Sequence, residues 1–293
     1  MQIKVYLDYA NWISLSRDPQ QFYYFERAIR NELIQPVISF THIIEIANSG
    51  VIAKDEMACF LDRVNDIKPL IWIKGLSQVI RLEILAQYKS WLLKIPVSAI
   101  NPFGASLVDV LSNQEIYLFD KDVARRYSIK EIVDLVGQME GFSSHKKFKG
   151  EYPCKVKWVS EIRKNRKQVK FKPEEVKNWI ISLLPDSFES PGGILSKISP
   201  ENKIKFADEI DLKACPAFMA KISFYEGQNS SPEGVKSSSI ADHFHLVGVS
   251  YCNISFVDKY TYSLLKNGNV ENLPYKNGQF KDWVNTLETH NVR

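Results

Sequence analysis

The sequence predicts an α/β protein, and three observations predict it. Short β-branched or aromatic runs occur at 3–7 (IKVYL), 36–40 (PVISF) and 253–257 (NISFV). Long stretches of helical periodicity separate them. A carboxylate stands at or just beyond the end of each run: Asp8, Glu45 and Asp258.

The first run stops at Asp8 and reads as a buried strand. Residues 11–33 then place Trp12, Ile13, Leu15, Phe22, Phe25, Ile29 and Leu33 at three- and four-residue spacings, interrupted at Asp18-Pro19, which predicts one or two helices. PVISF is the second strand. Thr41 is the expected N-cap of a helix through Ile43, Ile44 and Ile46 that breaks at Asn48-Ser49-Gly50. From 51 to about 140 the pattern is mainly helical (60–67, 79–93 and 124–139), with breaks at Pro96 and Asn101-Pro102. Helix returns near 173–184. A single helix is expected from about 240 to 251, followed by the strand that ends at Asp258; the sequence after Leu265 is polar and ambiguous. No repeat of fixed period is present.

Composition bounds the classes. With 293 residues, 45% hydrophobic and 25% charged, the chain is long enough for one large domain or two modest ones with a real core and is ordinarily globular. No apolar run reaches the ~18 residues of a membrane span, and the charged N-terminal stretch is unlike a signal peptide. Cys59, Cys154, Cys215 and Cys252 are scattered without a CxxC pair, so a reducing cytoplasm is the expected location. The thirteen glycines include no GxG, GxGxxG or GxxxxGK[ST], so nothing supports a phosphate cradle of the nucleotide-binding kind.

The chemistry rests on acids. In an open parallel sheet the carboxyl ends of the strands form the rim where ligands bind, so Asp8, Glu45 and Asp258 would share one edge. Asp242 joins them by length: about 14 Å of helix to the turn at ~1.5 Å per residue nearly cancels about 16 Å of returning strand at ~3.3 Å per residue. Four carboxylates in one cleft repel each other and call for a cation. A cluster without imidazole or thiolate favours Mg²⁺ or Mn²⁺ over zinc and suits phosphodiester hydrolysis.

The blocks VYLDYANWISLS, PVISFTHIIEIAN and SSSIADHFHLVGVSYCNISFVDK resemble the three signature blocks of PIN-domain ribonucleases. The resemblance implies an α/β/α sandwich with a central parallel PIN-like sheet and inserted helices, acid-held Mg²⁺ or Mn²⁺, and cleavage of RNA. Carried across, the catalytic and metal-binding quartet is Asp8, Glu45, Asp242 and Asp258, with Asn11 and Ser239 as supporting polar residues. Residues 1–293 form one domain on this reading, and 51–238 is an elaboration much larger than small PIN toxins carry. Where the family often has Thr or Ser two residues before the last Asp, this chain has Phe256.

Within 146–172, eleven Lys or Arg face only Glu151 and Glu161, a local charge of +9, with Phe148, Tyr152, Trp158 and Phe171 interleaved. That combination can hold phosphates and stack bases, and Lys164, Arg166, Lys167 and Trp158 are its nucleic-acid-binding candidates. An RNA endonuclease is the leading expectation. The alternatives are a catalytically silent PIN-like scaffold that binds RNA or protein, or a nuclease directed at DNA; a regulatory partner or a homo-oligomer stays open.

Plainer roles compete. An Asp that closes a strand is also an ordinary helix cap, Glu45 could face solvent, and Asp242 could answer the helix dipole. His243 and His245 are expected to pack or lie at the surface. Asp208, Glu209 and Asp211 read as a solvated helix start, and a charge run such as 146–172 is often only a solvated face.

Overall fold

The computed structural model describes residues 2–111, 127–138, 170–189, 195–230, 239–268, 270 and 273–289. The first half runs β1 (Ile3–Tyr6), α1 (Tyr9–Arg17), α2 (Pro19–Arg30), β2 (Ile34–Ser39), α3 (Phe40–Ala47), α4 (Val51–Ile67), β3 (Ile71–Ile73), α5 (Leu76–Leu93), β4 (Phe103–Gly104) and α6 (Ile129–Gln138). It continues with α7 (Pro173–Leu183), β5 (Ser187–Glu189), β6 (Leu195–Lys197), α8 (Pro200–Glu209), α9 (Pro216–Ser230), α10 (Ser239–Phe244), α11 (Leu246–Tyr251), β7 (Ile254–Val257), α12 (Lys259–Asn267), β8 (Tyr275–Lys276) and α13 (Phe280–Thr289).

Six strands form a sheet in the order β4-β3-β2-β1-β7-β8, parallel except for β4; β5 and β6 make a separate antiparallel pair. The alternation of side chains along the strands divides the core in two. Val5, Leu7 and Ile38 point into one apolar layer with α1–α4, α6 and α13. Tyr6 and Val37 point into the other, with α5, α7–α9, α11 and α12. The protein is therefore a mixed α/β structure whose mostly parallel sheet is covered by helices on both faces, as parallel sheets require.

Three local features differ from expectation. Ser39, not Thr41, caps α3, because His42 Nδ1 accepts the Ser39 N–H at 3.0 Å and closes a reciprocal cap. The expected helix 240–251 is two short helices joined at His245. There the bonds tighten to three-residue spacing, His245 N to Asp242 O and Gly248 N to His245 O, which turns the chain. The mainly helical stretch also contributes β3 and β4 to the sheet: Ile71–Ile73 pairs with β2 although three residues are too few to show a period.

Helix packing on the second face relies on close approach. A Cβ at Gly227 would strike the Leu264 backbone, and one at Gly268 would strike that of Ser223, so α9 and α12 touch backbone to backbone. Buried Glu83 secures the start of α9 by accepting the N–H groups of Ala217 and Phe218 at 2.8 and 3.0 Å and the Tyr251 hydroxyl at 2.6 Å. Among the described residues no helix is long and apolar enough to cross a membrane.

Candidate functional site

The chain leaves β1 toward β2 on one side and returns through β7 on the other, so the carboxyl ends of β1, β2 and β7 surround a topological switch point, where crevices form in open α/β sheets. Asp8 stands there as the N-cap of α1. Its Oδ1 accepts the backbone N–H and the side-chain amide of Asn11, each at 2.9 Å, and its Oδ2 accepts Asn277 Nδ2. Asn11 also donates to Asn277 Oδ1 at 2.6 Å, which ties both amides to the same carboxylate. Asp258 mirrors this as the N-cap of α12. Its Oδ1 accepts the N–H groups of Tyr260 and Thr261 at 2.6 and 2.9 Å, and its Oδ2 accepts the Thr261 hydroxyl at 2.7 Å. Capping and cluster membership are compatible. A carboxylate offers about four lone-pair sites, and three donors among the described residues use three of them at each Asp.

Asp242 lies in the first turn of α10, three residues after Ser239, which opens that helix. Burial, followed by the charges of Asp258, Glu45 and Asp8, pushes its carboxyl up to about 7. The fields of all four acids therefore meet at Asp242. Burial likewise holds the Asp8 carboxyl above the usual range, against the lowering effect of its Asn277 and Asn11 hydrogen bonds. Glu45, on α3, is 18% exposed and faces the buried His245, whose Nε2 lies 3.1 Å from Glu45 Oε2.

That contact corrects the expectation of a cluster without imidazole. Burial pulls the His245 pKa down, yet Glu45, Asp8 and Asp242 together outweigh it and raise the ring above its ordinary value. His243 differs: burial and nearby Lys221 pull it down to about 3, and its Nε2 lies 3.4 Å from the Tyr225 hydroxyl. The pair is separated because the chain turns between the two helices at His245.

Phe256 brings no hydroxyl to this edge. Phe256 is fully buried against the rings of Tyr275, Phe280 and Trp283, while Thr261 supplies the hydroxyl to Asp258. Asn277, Thr261, Tyr6 and His245 are functional candidates that reading the sequence misses. Only Thr261, three residues after a strand-closing Asp, carries a local signal.

The second acidic group is not a helix start. Asp208 and Glu209 end α8, where Asp208 pairs with Lys177 and Glu209 accepts the Trp91 indole N–H at 2.7 Å, while Asp211 caps a following turn. Lys164, Arg166, Lys167 and Trp158 lie outside the described residues. Of the interleaved aromatics, Phe171 is described: its ring packs on Trp179, and its N–H donates to Glu226 at 3.0 Å.

The carboxylates at this edge are hard oxygen donors of the kind that Mg²⁺ or Mn²⁺ takes, with the His245 imidazole held beside Glu45. Among the described residues, no three His, Cys, Asp or Glu side chains are gathered closely enough to hold one ion as placed. What these acids share is electrostatic: burial and the charges of Asp258, Glu45 and Asp8 hold the Asp242 carboxyl at about 7. Comparisons with family models, with curated proteins and with solved structures each return no match for this chain.

Proposed function

We propose that this chain is a divalent-metal-dependent nuclease of the PIN kind that hydrolyses RNA phosphodiester bonds, its helix-covered sheet being that family's α/β/α sandwich. The observation that carries the reading is Asp242, whose carboxyl is driven to about 7 by burial and by three other acids at the same sheet edge. A cluster that costs folding energy by repulsion is expected where a cation is to be bound. Asp8, Glu45, Asp242 and Asp258 are the oxygen donors on this reading. Asn11, Asn277 and Thr261 hold two of them in place with charge-assisted hydrogen bonds. The ion's contribution when bound is Lewis acidity toward phosphate oxygens and a lowered pKa of water. The basic segment 146–172 supplies cations for the nucleic-acid backbone.

A second reading, a silent scaffold that binds RNA or protein, draws on the Glu45–His245 pair, which compensates part of the acidic charge from within the chain. Incubating purified protein with labelled RNA or single-stranded DNA, with Mn²⁺ or with chelator, separates the readings. The nuclease reading expects metal-dependent cleavage that Asp258→Asn abolishes, and metal-induced thermal stabilisation that Asp242→Asn weakens. RNA binding with neither effect identifies the scaffold, cutting of DNA alone redirects the substrate, and undiminished cutting in excess chelator removes the metal from the account.

A further inference from the structure

Behind the acids lies a buried row of polar groups. His42 Nε2 is 2.7 Å from the Leu7 carbonyl oxygen, and His42 Nδ1 accepts the Ser39 N–H at 3.0 Å and lies 3.1 Å from the Ser39 hydroxyl. The Ser39 hydroxyl is 2.9 Å from the Tyr6 hydroxyl, which is 2.7 Å from His245 Nδ1. His245 Nε2 reaches Glu45. Tyr6, Ser39, His42 and His245 are each at most 4% exposed, so the row is sealed from solvent.

Both ends of this row are directed by chemistry. A backbone N–H can only donate, so His42 Nδ1 is the acceptor from Ser39 and its ring proton sits on Nε2, pointing at the Leu7 carbonyl. A carboxylate can only accept, so His245 presents Nε2–H to Glu45. Tyr6 and Ser39, each able to donate and accept, complete the line. The Leu7 carbonyl belongs to the peptide that joins Leu7 to Asp8. One hydrogen-bonded line therefore connects the Glu45 carboxylate on α3 to the backbone of Asp8 after β1. The ring of Tyr6 is held from behind by α11, where a Cβ at Gly248 would collide with it.

We propose that Tyr6 and His245 are positioning residues that hold the Glu45 carboxylate in register with Asp8 through this buried line. Neither touches the reacting phosphate. Their effect on turnover passes through Glu45, so the functional half of the proposal rests on the nuclease reading above. The geometric half does not. A carboxylate clamped by one buried donor loses rotamer freedom before substrate arrives, which is how a supporting shell sharpens a site.

The test has two arms on the full chain. Long-range ¹H–¹⁵N spectra of the metal-free protein at neutral pH should show His245 protonated at Nε2; an unprotonated Nε2 there overturns the proposal without reference to activity. In cleavage assays with Mn²⁺, Tyr6→Phe should lower kcat about tenfold and change KM by less than about twofold, because an interaction felt only in turnover is lost. His245→Gln, whose amide can still donate to Glu45, should retain more activity than His245→Ala. Wild-type kcat in a folded Tyr6→Phe protein, or equal losses in the two His245 variants, overturns the positioning role. If the wild type cuts nothing, the nuclease reading falls and the spectra alone judge the hydrogen-bonded line.

Discussion

Asn277 donates its side-chain amide to Asp8 Oδ2 from 269 positions further along the chain. The same amide oxygen accepts from Asn11, so one late residue after β8 braces both members of the first strand's end. Asn277→Ala should leave the half-buried Asp8 carboxylate one donor short and destabilise the protein by about 1–3 kcal/mol, the cost of an unmade hydrogen bond to a charged group. It should also raise the Asp8 pKa further. Urea titrations beside the wild type measure the first effect, and carboxyl ¹³C titration measures the second; an unchanged Asp8 pKa would show that the bond contributes nothing.

The acids should part company in stability while agreeing in activity. Asp8→Asn, Asp242→Asn and Asp258→Asn are each expected to abolish metal-dependent cleavage. Without metal, Asp242→Asn should raise the melting temperature near pH 8, because it removes a charge that burial and three acids oppose. Asp258→Ala should instead cost about 1–2 kcal/mol, since Asp258 caps α12 through Tyr260 and Thr261. Scanning calorimetry in chelator distinguishes the two signs.

The pH dependence follows from the same group. A carboxyl whose folded pKa is raised holds its proton more tightly in the folded chain. Its contribution is therefore fully present below the unfolded value near 3.9 and is lost as pH rises through the folded value of about 7. The stability difference between Asp242→Asn and wild type should grow across that window and level off above it. It should reach at most about 4 kcal/mol, and less because the side chain is only half-buried. His42 and His243, lowered mainly by burial to about 4 and about 3, act in the opposite sense. Each stabilises above the unfolded His value near 6.5, and that stability is lost as pH falls toward the folded value. A difference between the two proteins that stays flat from pH 4 to 8 would contradict the coupling at Asp242.

Glu83 tests the frame rather than the site. Glu83→Ala leaves two helix N–H groups and the Tyr251 hydroxyl without their buried acceptor, and should cost about 3–5 kcal/mol. Glu83→Gln keeps one acceptor oxygen and should cost less. Equal midpoints for the two variants in urea would mean that the carboxylate does not anchor α9.

Binding should separate from chemistry along the basic segment. Replacing Lys164, Arg166 and Lys167 together with Gln should weaken RNA binding several-fold and flatten its salt dependence, at roughly −0.7 in slope per lost phosphate contact. Trp158→Ala should weaken binding with the slope unchanged, because stacking releases no counterions. Titration of labelled RNA at several salt concentrations decides this, and an unchanged slope in the triple variant makes the run a solvated face.

What the sequence determined alone is what adjacent residues can encode. A buried apolar run that stops at an acid able to cap the next helix marks the ends of β1 and β7, so Asp8 and Asp258 are legible as strand-closing carboxylates. Periodic helices of eight or more residues show for the same reason. Tertiary structure decided the rest. Strands of two or three residues, β3 and β4, are too short to carry a period and exist by pairing with the sheet. His245 meets Tyr6 across 239 positions and Glu45 across 200, and neither partner predicts it. Nor does polarity alone announce Asn277. Side-chain bonds of such reach depend on the two apolar layers that pack on the sheet, so the acids belong to the local pattern and the groups that hold them belong to the fold.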